Sequence, residues 1–199
     1  MPVVSEPSSD VHLVAIGASA GGVEAVGRLL QALPATTAVA IAVVLHVPAD
    51  RPSQLAELFG ERCARPVKEA EDKETIVGGT VYIAPPNYHL LVESDGSFSL
   101  SLEDAVLYSR PSIDLLLESA AYAYGEHLLG IVLTGASSDG AQGLAKVRDC
   151  GGRAWVQDPA TARARMMPQA ALELAQPHRV LDLKTLEADL ADLLTGKTR

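Results

Sequence analysis

Apolar residues fall into short runs that alternate with helical patterns. Residues 11–16 are an apolar run ending at Gly17 and predict a buried strand. Val23, Val26, Leu30 and Leu33 recur at helical spacing, and Pro34 closes that helix. Residues 39–45, rich in Val and Ile, predict a second buried strand, and residues 53–59 a short helix. Residues 80–84 and 89–93 read as strands. Ser94-Asp95-Gly96 is a turn, and residues 98–102 alternate Phe, Ser, Leu, Ser, Leu, as a half-exposed hairpin strand does. From Pro111 the period changes. Ile113, Leu116, Leu117, Ala120 and Tyr124 mark one helix face, with Pro111 near its start and Gly125 just past its end. Residues 128–133 predict a strand, residues 140–149 a helix stopped by Gly151-Gly152, and residues 154–156 another strand. Leu186, Leu190 and Leu193 mark a last helix. This order predicts an α/β fold: a doubly wound, mostly parallel sheet flanked by helices, with residues 82–102 as an antiparallel hairpin insertion.

The 199 residues, 48% apolar, suit one domain with a real core. Residues 1–10, with Pro2, Pro7 and a Ser-Ser pair, read as an unstructured tail, and residues 11–195 as the domain. The tail carries no Lys or Arg, and no apolar stretch follows that would make a signal peptide. The longest apolar run, residues 38–45, is too short to cross a bilayer. A cytoplasmic protein without direct membrane insertion is expected. Cys63 and Cys150 match no metal spacing and read as buried or incidental thiols. The net charge of −9, with both signs interspersed, argues against a general nucleic-acid binder.

In a doubly wound sheet, ligands gather outside the carboxyl ends of the strands. Three polar residues fall there. Ser19 follows the first strand, His46 the second, and Asp139 the strand that ends near Thr134. Gly17-Ala18-Ser19-Ala20-Gly21 fits the G-x-S-x-G elbow between a strand and a helix. The next helix could then offer backbone N–H groups to an oxyanion. The same turn could instead cradle a phosphate, or Ser19 could simply cap the helix. A dinucleotide fold would end its second strand with Asp or Glu for the ribose, whereas this chain has Leu45-His46-Val47-Pro48. A histidine can take a proton from a nearby serine. His12, His89, His127 and His178 are competing bases, but His46 follows a fully apolar strand adjacent to the first. Asp139 would orient the imidazole or cap a helix. Asp114 is the rival carboxylate, and Ser137 and Ser138 are rival hydroxyls.

Five segments occur in a fixed order: residues 16–22 (Ile-Gly-Ala-Ser-Ala-Gly-Gly), His46-Val47-Pro48, Tyr82-Ile83-Ala84-Pro85, Arg110-Pro111-Ser112-Ile113-Asp114, and Leu133-Thr134-Gly135 with Asp139-Gly140-Ala141. Together the chain resembles the chemotaxis receptor methylesterases, the CheB catalytic domain, over roughly residues 11–195. The resemblance implies a serine hydrolase with Ser19 as nucleophile, His46 as base and Asp139 as orienting acid. It implies hydrolysis of γ-glutamyl methyl esters on the cytoplasmic helices of methyl-accepting chemoreceptors, deamidation of receptor glutamines, and no metal or organic cofactor. Ala20, Gly21, Ala136 and Arg110 are the candidate oxyanion and substrate contacts. The chain departs from the family at Ala20, where a hydroxyl residue is common, at Ala136-Ser137-Ser138, and at Met166-Met167-Pro168. The best-known members carry an N-terminal receiver domain. About ten residues precede the first strand, so a receiver-less member is expected, with an excised piece of a longer protein as the alternative. The alternative is a regulatory module of a chemosensory complex that kept the fold without catalysis or with altered specificity. A catalytic triad predicts one His46 nitrogen within reach of the Ser19 hydroxyl, directly or through one water, and the other facing Asp139.

Overall fold

The computed structural model describes residues 10–47 and 53–196. Most of the expected tail, and Pro48 of the His46 segment, lie outside the described residues. The chain runs β1 (Leu13–Ala18), α1 (Gly22–Gln31), β2 (Ala40–Leu45), α2 (Leu55–Gly60), β3 (Val67–Glu69) and β4 (Val81–Ile83). A hairpin of β5 (His89–Val92) and β6 (Phe98–Ser101) follows, then α3 (Ile113–Tyr124) and a single 3-10 turn. The second half is β7 (Leu128–Val132), α4 (Ala141–Asp149), β8 (Arg153–Gln157), α5 (Met166–Ala175), β9 (Arg179–Leu181) and α6 (Leu183–Leu194).

Seven strands form one parallel sheet in the order β3-β4-β2-β1-β7-β8-β9. The hairpin forms a separate two-stranded antiparallel sheet. The predicted class is the observed one, with one boundary moved. β4 pairs in parallel with β2 and β3, so the antiparallel insertion begins only at β5. Three elements had no predicted counterpart: β3, α5 and β9.

The strand order places the site. From β1 the chain first builds outward through β2, then returns to add β7 on the other flank of β1. Connections leave β1 and its neighbours in opposite directions, which opens a crevice at their carboxyl ends. β1 is buried along its whole length, and its side chains alternate between two cores. Leu13 and Ala15 join the core under α3, α4 and α5, whereas Val14, Ile16 and Ala18 join the core under α1 and α6. β2 splits the same way, with Ala42 and Val44 on the first side and Ile41, Val43 and Leu45 on the second. A strand covered on both faces reads as a continuous apolar run, which is why β1 and β2 were legible.

Small residues on the first face let α3 lie close to the sheet. Gly17 marks the nearest approach: a Cβ there would lie 2.1 Å from Cγ2 of Ile113. Gly17→Ala should therefore destabilise the chain by about 1–3 kcal/mol, the usual cost of overpacking a rigid contact. Urea denaturation of the two proteins measures it, and an unchanged midpoint would show that α3 does not seat on β1.

Candidate active site

Ser19 leaves the end of β1. Its N–H donates to the Thr134 carbonyl at 2.9 Å, and its own carbonyl accepts the Gly22 N–H at 2.7 Å. The turn is thus tied to the segment after β7 and closed onto α1. Gly21 takes the N-cap position with φ of 81°, and a Cβ there would lie 2.9 Å from the Arg163 side chain. Glycine satisfies both constraints. No side-chain oxygen caps α1, so Ser19 is not the cap. Its half-buried hydroxyl makes no hydrogen bond among the described residues. The N–H groups of Ala20 and Gly21 likewise meet no acceptor among the described residues, nor does that of exposed Ala136. Such unpaired donors at a helix start suit a developing negative charge. The Ser19 N–H, already committed to Thr134, is not among them.

His46 comes one position past Leu45, which pairs with Ala18, so Ser19 and His46 leave adjacent strands side by side. The His46 N–H donates to the Ala18 carbonyl at 3.2 Å. The ring Nε2 lies 2.8 Å from Oδ2 of Asp139, as expected. The other nitrogen makes no direct bond to Ser19 among the described residues: Nδ1 lies 3.2 Å from the Ser109 hydroxyl.

Asp139 is fully buried and precedes α4, whose N-cap is Gly140. Its carboxylate caps α3 instead. Oδ2 accepts the Ile113 N–H at 2.8 Å, and Oδ1 accepts the Asp114 N–H at 2.9 Å and the Ser112 hydroxyl at 3.0 Å. Asp114, in the first turn of α3, returns the exchange. Its Oδ1 accepts the Gly140 N–H at 2.9 Å and the Gly143 N–H at 2.7 Å, at the start of α4. Each helix is capped by the other's carboxylate. Sequence reading ranked Asp114 as a rival to Asp139, and the structure makes the two partners in one network. Ser112 and Ser109 were not picked out; Ser112 stood in a quoted segment, but nothing in the local pattern marks its role.

Thr134 ties the elbow to the opposite wall. Its hydroxyl donates to the Ala20 carbonyl at 2.8 Å and accepts the Ala164 N–H at 2.9 Å. Arg110 acts as a brace. Its guanidinium donates to Oδ1 of Asn87 and to the carbonyls of Leu102 and Glu103, at 2.7–3.2 Å. The competing histidines lie elsewhere. His89 is buried and accepts the Ser112 N–H, His178 accepts the Ala154 N–H, and His12 stacks on His127 beside the opposite ends of β1 and β7. Cys63 and Cys150 are free and half-buried.

The CheB methylesterase family matches residues 14–190. The chain belongs to that family. A Leptospira interrogans chain provisionally named protein-glutamate methylesterase/protein-glutamine glutaminase is 46% identical over 173 residues, which cover 87% of this chain and 90% of that one. A Rhodospirillum rubrum protein-glutamate methylesterase/protein-glutamine glutaminase is 38% identical across 89% of this chain, but the match spans only 50% of that longer protein. The CheB methylesterase catalytic domain of Thermotoga maritima superposes with a TM-score of 0.87 at 32% identity, covering 93% of this chain and all of that one. Ser109 and the crossed carboxylates thus lie within the family's matched region.

The two carboxylates titrate in opposite directions. Burial pushes Asp114 up to about 6, the charge of Asp139 adds to the rise, and the N–H groups of Gly143 and Gly140 oppose it. Burial also raises Asp139, but the His46 hydrogen bond and the N–H groups of Ile113 and Asp114 outweigh it and hold Asp139 below its ordinary value. Asp139 is therefore the carboxyl that ionises first as pH rises, and Asp114 loses its proton only at about 6. An unfolded Asp titrates near ~3.9. Between that value and about 6 the folded chain keeps a proton on Asp114 that the unfolded chain releases, so the Asp114 contribution to stability declines as pH rises through this window. Asp139 has the opposite sign: its contribution is present above about 4 and lost at lower pH. Asp114→Asn keeps an oxygen for both glycine N–H groups but cannot ionise. Relative to wild type it should gain stability as pH rises from about 4 to 7. Urea midpoints at both values test this, and a constant difference would refute the raised Asp114 value.

Proposed function

We propose that this chain is a protein-glutamate methylesterase of chemosensory signalling. It removes methyl esters from glutamate side chains on the cytoplasmic helices of chemoreceptors, and the same site deamidates glutamine side chains there. The observation that carries this is the 2.8 Å contact between buried Asp139 and half-buried His46, set beside a G-x-S-x-G turn at the carboxyl ends of adjacent strands. The names of the curated relatives point the same way.

The chemistry follows from the tautomer. Ionised Asp139 accepts the Nε2 proton, which leaves the Nδ1 lone pair as the base. Ser19 attacks the ester carbonyl and gives its proton to Nδ1. The carbonyl oxygen gains negative charge next to the unpaired N–H groups of Ala20 and Gly21, with Ala136 as a further donor. Collapse expels methoxide, which takes the proton from Nδ1 and departs as methanol. Water then attacks the acyl-enzyme, giving one proton to Nδ1; Ser19 leaves with that proton, and the glutamic acid so formed releases its remaining proton to solvent. With glutamine the leaving group is ammonia. Arg110, whose guanidinium is largely committed, shapes the loop that bears Ser109.

Turnover of a methylated receptor fragment should vanish in Ser19→Ala with stability nearly unchanged. Asp139→Asn should lower turnover by about three to four orders of magnitude through the wrong tautomer. It should also cost about 1–3 kcal/mol, because an amide cannot accept all four donors that Asp139 serves. Methanol release per folded molecule separates the two losses. A wild-type chain that releases no methanol from the fragment, yet binds it, would favour the regulatory-module alternative.

A further inference from the structure

The base nitrogen of His46 is already occupied. Nε2 belongs to Asp139, so Nδ1 must receive the Ser19 proton, and Nδ1 faces the Ser109 hydroxyl at 3.2 Å. Ser109 is held firmly in that position. Its N–H donates to the Val106 carbonyl at 2.8 Å, and its carbonyl accepts the Val106 N–H at 3.1 Å. The two residues between them, Leu107 and Tyr108, have φ of 48° and 64°. Paired left-handed residues make the tight hairpin turn usually built from Asn and Gly. Large side chains there are strained, and both are exposed to solvent. On the other side the guanidinium of Arg110 is pinned to three acceptor atoms. The Ser109 backbone is therefore held from both sides, and its hydroxyl can move relative to the imidazole only by rotation about the Cα–Cβ bond.

A relay from Ser19 through Ser109 to His46 would need a bond between the two hydroxyls, and none exists among the described residues. The two hydroxyls compete for one lone pair. We propose that Ser109 is a positioning residue that latches the resting site: its hydroxyl occupies Nδ1 of His46 until Ser19, drawn in by a bound ester, displaces it. This rests on Ser19 as the nucleophile. In the resting state the Ser109 O–H donates to unprotonated Nδ1. On displacement, the Ser19 proton passes to Nδ1 as the bond from Ser19 Oγ to the carbonyl carbon forms and the carbonyl electron pair moves to oxygen. The Ser109 proton is never transferred. The contact is long for a hydroxyl donor, which suits a partner that must be given up. Asp139, fixed by three other donors, keeps the ring oriented once Ser109 is gone.

The test uses p-nitrophenyl acetate and the whole chain, as wild type, Ser109→Ala and Ser109→Thr. Burst kinetics give the acylation rate, mass spectrometry locates the acetyl group, and the ¹⁵N resonance of His46 Nδ1 reports its hydrogen bond. Ser109→Ala should acylate Ser19 about two- to tenfold faster, the worth of one hydrogen bond, with the Nδ1 resonance moving toward that of an unbonded imine nitrogen. Ser109→Thr should restore both. Equal or slower acylation in Ser109→Ala, with the label on Ser19, or an unmoved resonance overturns the latch and leaves the nucleophile assignment standing. A label on Ser109, or none on Ser19 in any variant, overturns the nucleophile assignment and the latch with it.

Discussion

The exchange of carboxylates between α3 and α4 is the constraint on which the site depends. A helix start exposes N–H groups that must find acceptors when buried. Here neither helix caps itself through its own acid. Asp139, on the approach to α4, serves Ile113 and Asp114, and Asp114 serves Gly140 and Gly143. The two helices cannot slide past each other without breaking four such bonds. The same exchange brings two carboxyls together in the interior, where two negative charges are costly. The conflict resolves unequally: Asp114 is raised, and Asp139 stays low because His46 and the α3 N–H groups favour its charge. A fixed, ionised carboxylate facing an imidazole follows from a helix-packing solution.

The sheet supplies the rest of the placement. Adjacent parallel strands present their carboxyl ends together, so residues one step past Ala18 and Leu45 become neighbours although 27 positions separate them. Thr134, past the end of β7, then ties the elbow from the other flank. α3 must seat close to β1 for Ile113 to reach Asp139, and Gly17 permits that approach. Packing and chemistry meet in the segment from Val106 to Asp114, which touches His46 at one end and Asp139 at the other.

The central strands and α3 were legible because their patterns are strong: continuous apolar runs where both faces are covered, and a clear helical stripe bounded by Pro111 and Gly125. β3 and β9 were not. Both are three-residue edge strands containing charged residues, and such edges lack an apolar signature. α5 was hidden by Pro168, which looks like a breaker but stands in the first turn, where no intrahelical N–H is lost. β4 was grouped with the hairpin because parallel pairing to β2 is non-local and leaves no trace in the local sequence. Ser19, His46 and Asp139 could be named because strand ends and ordered motifs mark them. Ser109 could not, since its contact with His46 spans 63 positions and depends on a hairpin turn made of Leu and Tyr, residues that do not advertise one.

The choice between a capping and a chemical role for Asp139 was posed as an alternative, and the geometry removes the opposition. One oxygen, Oδ2, serves both the Ile113 N–H and the His46 ring. Capping α3 holds that oxygen in place, and it favours the charged form by lowering the carboxyl's affinity for a proton. An acid that must orient an imidazole needs both a fixed position and a negative charge. A free surface Asp would have the charge without the position, and a buried Asp without N–H partners would have the position without the charge. The helix start provides both at once. The residue that stabilises the fold here is therefore suited to the proposed chemistry for the same physical reason, and a loss of stability on its replacement says nothing against the proposed role in turnover.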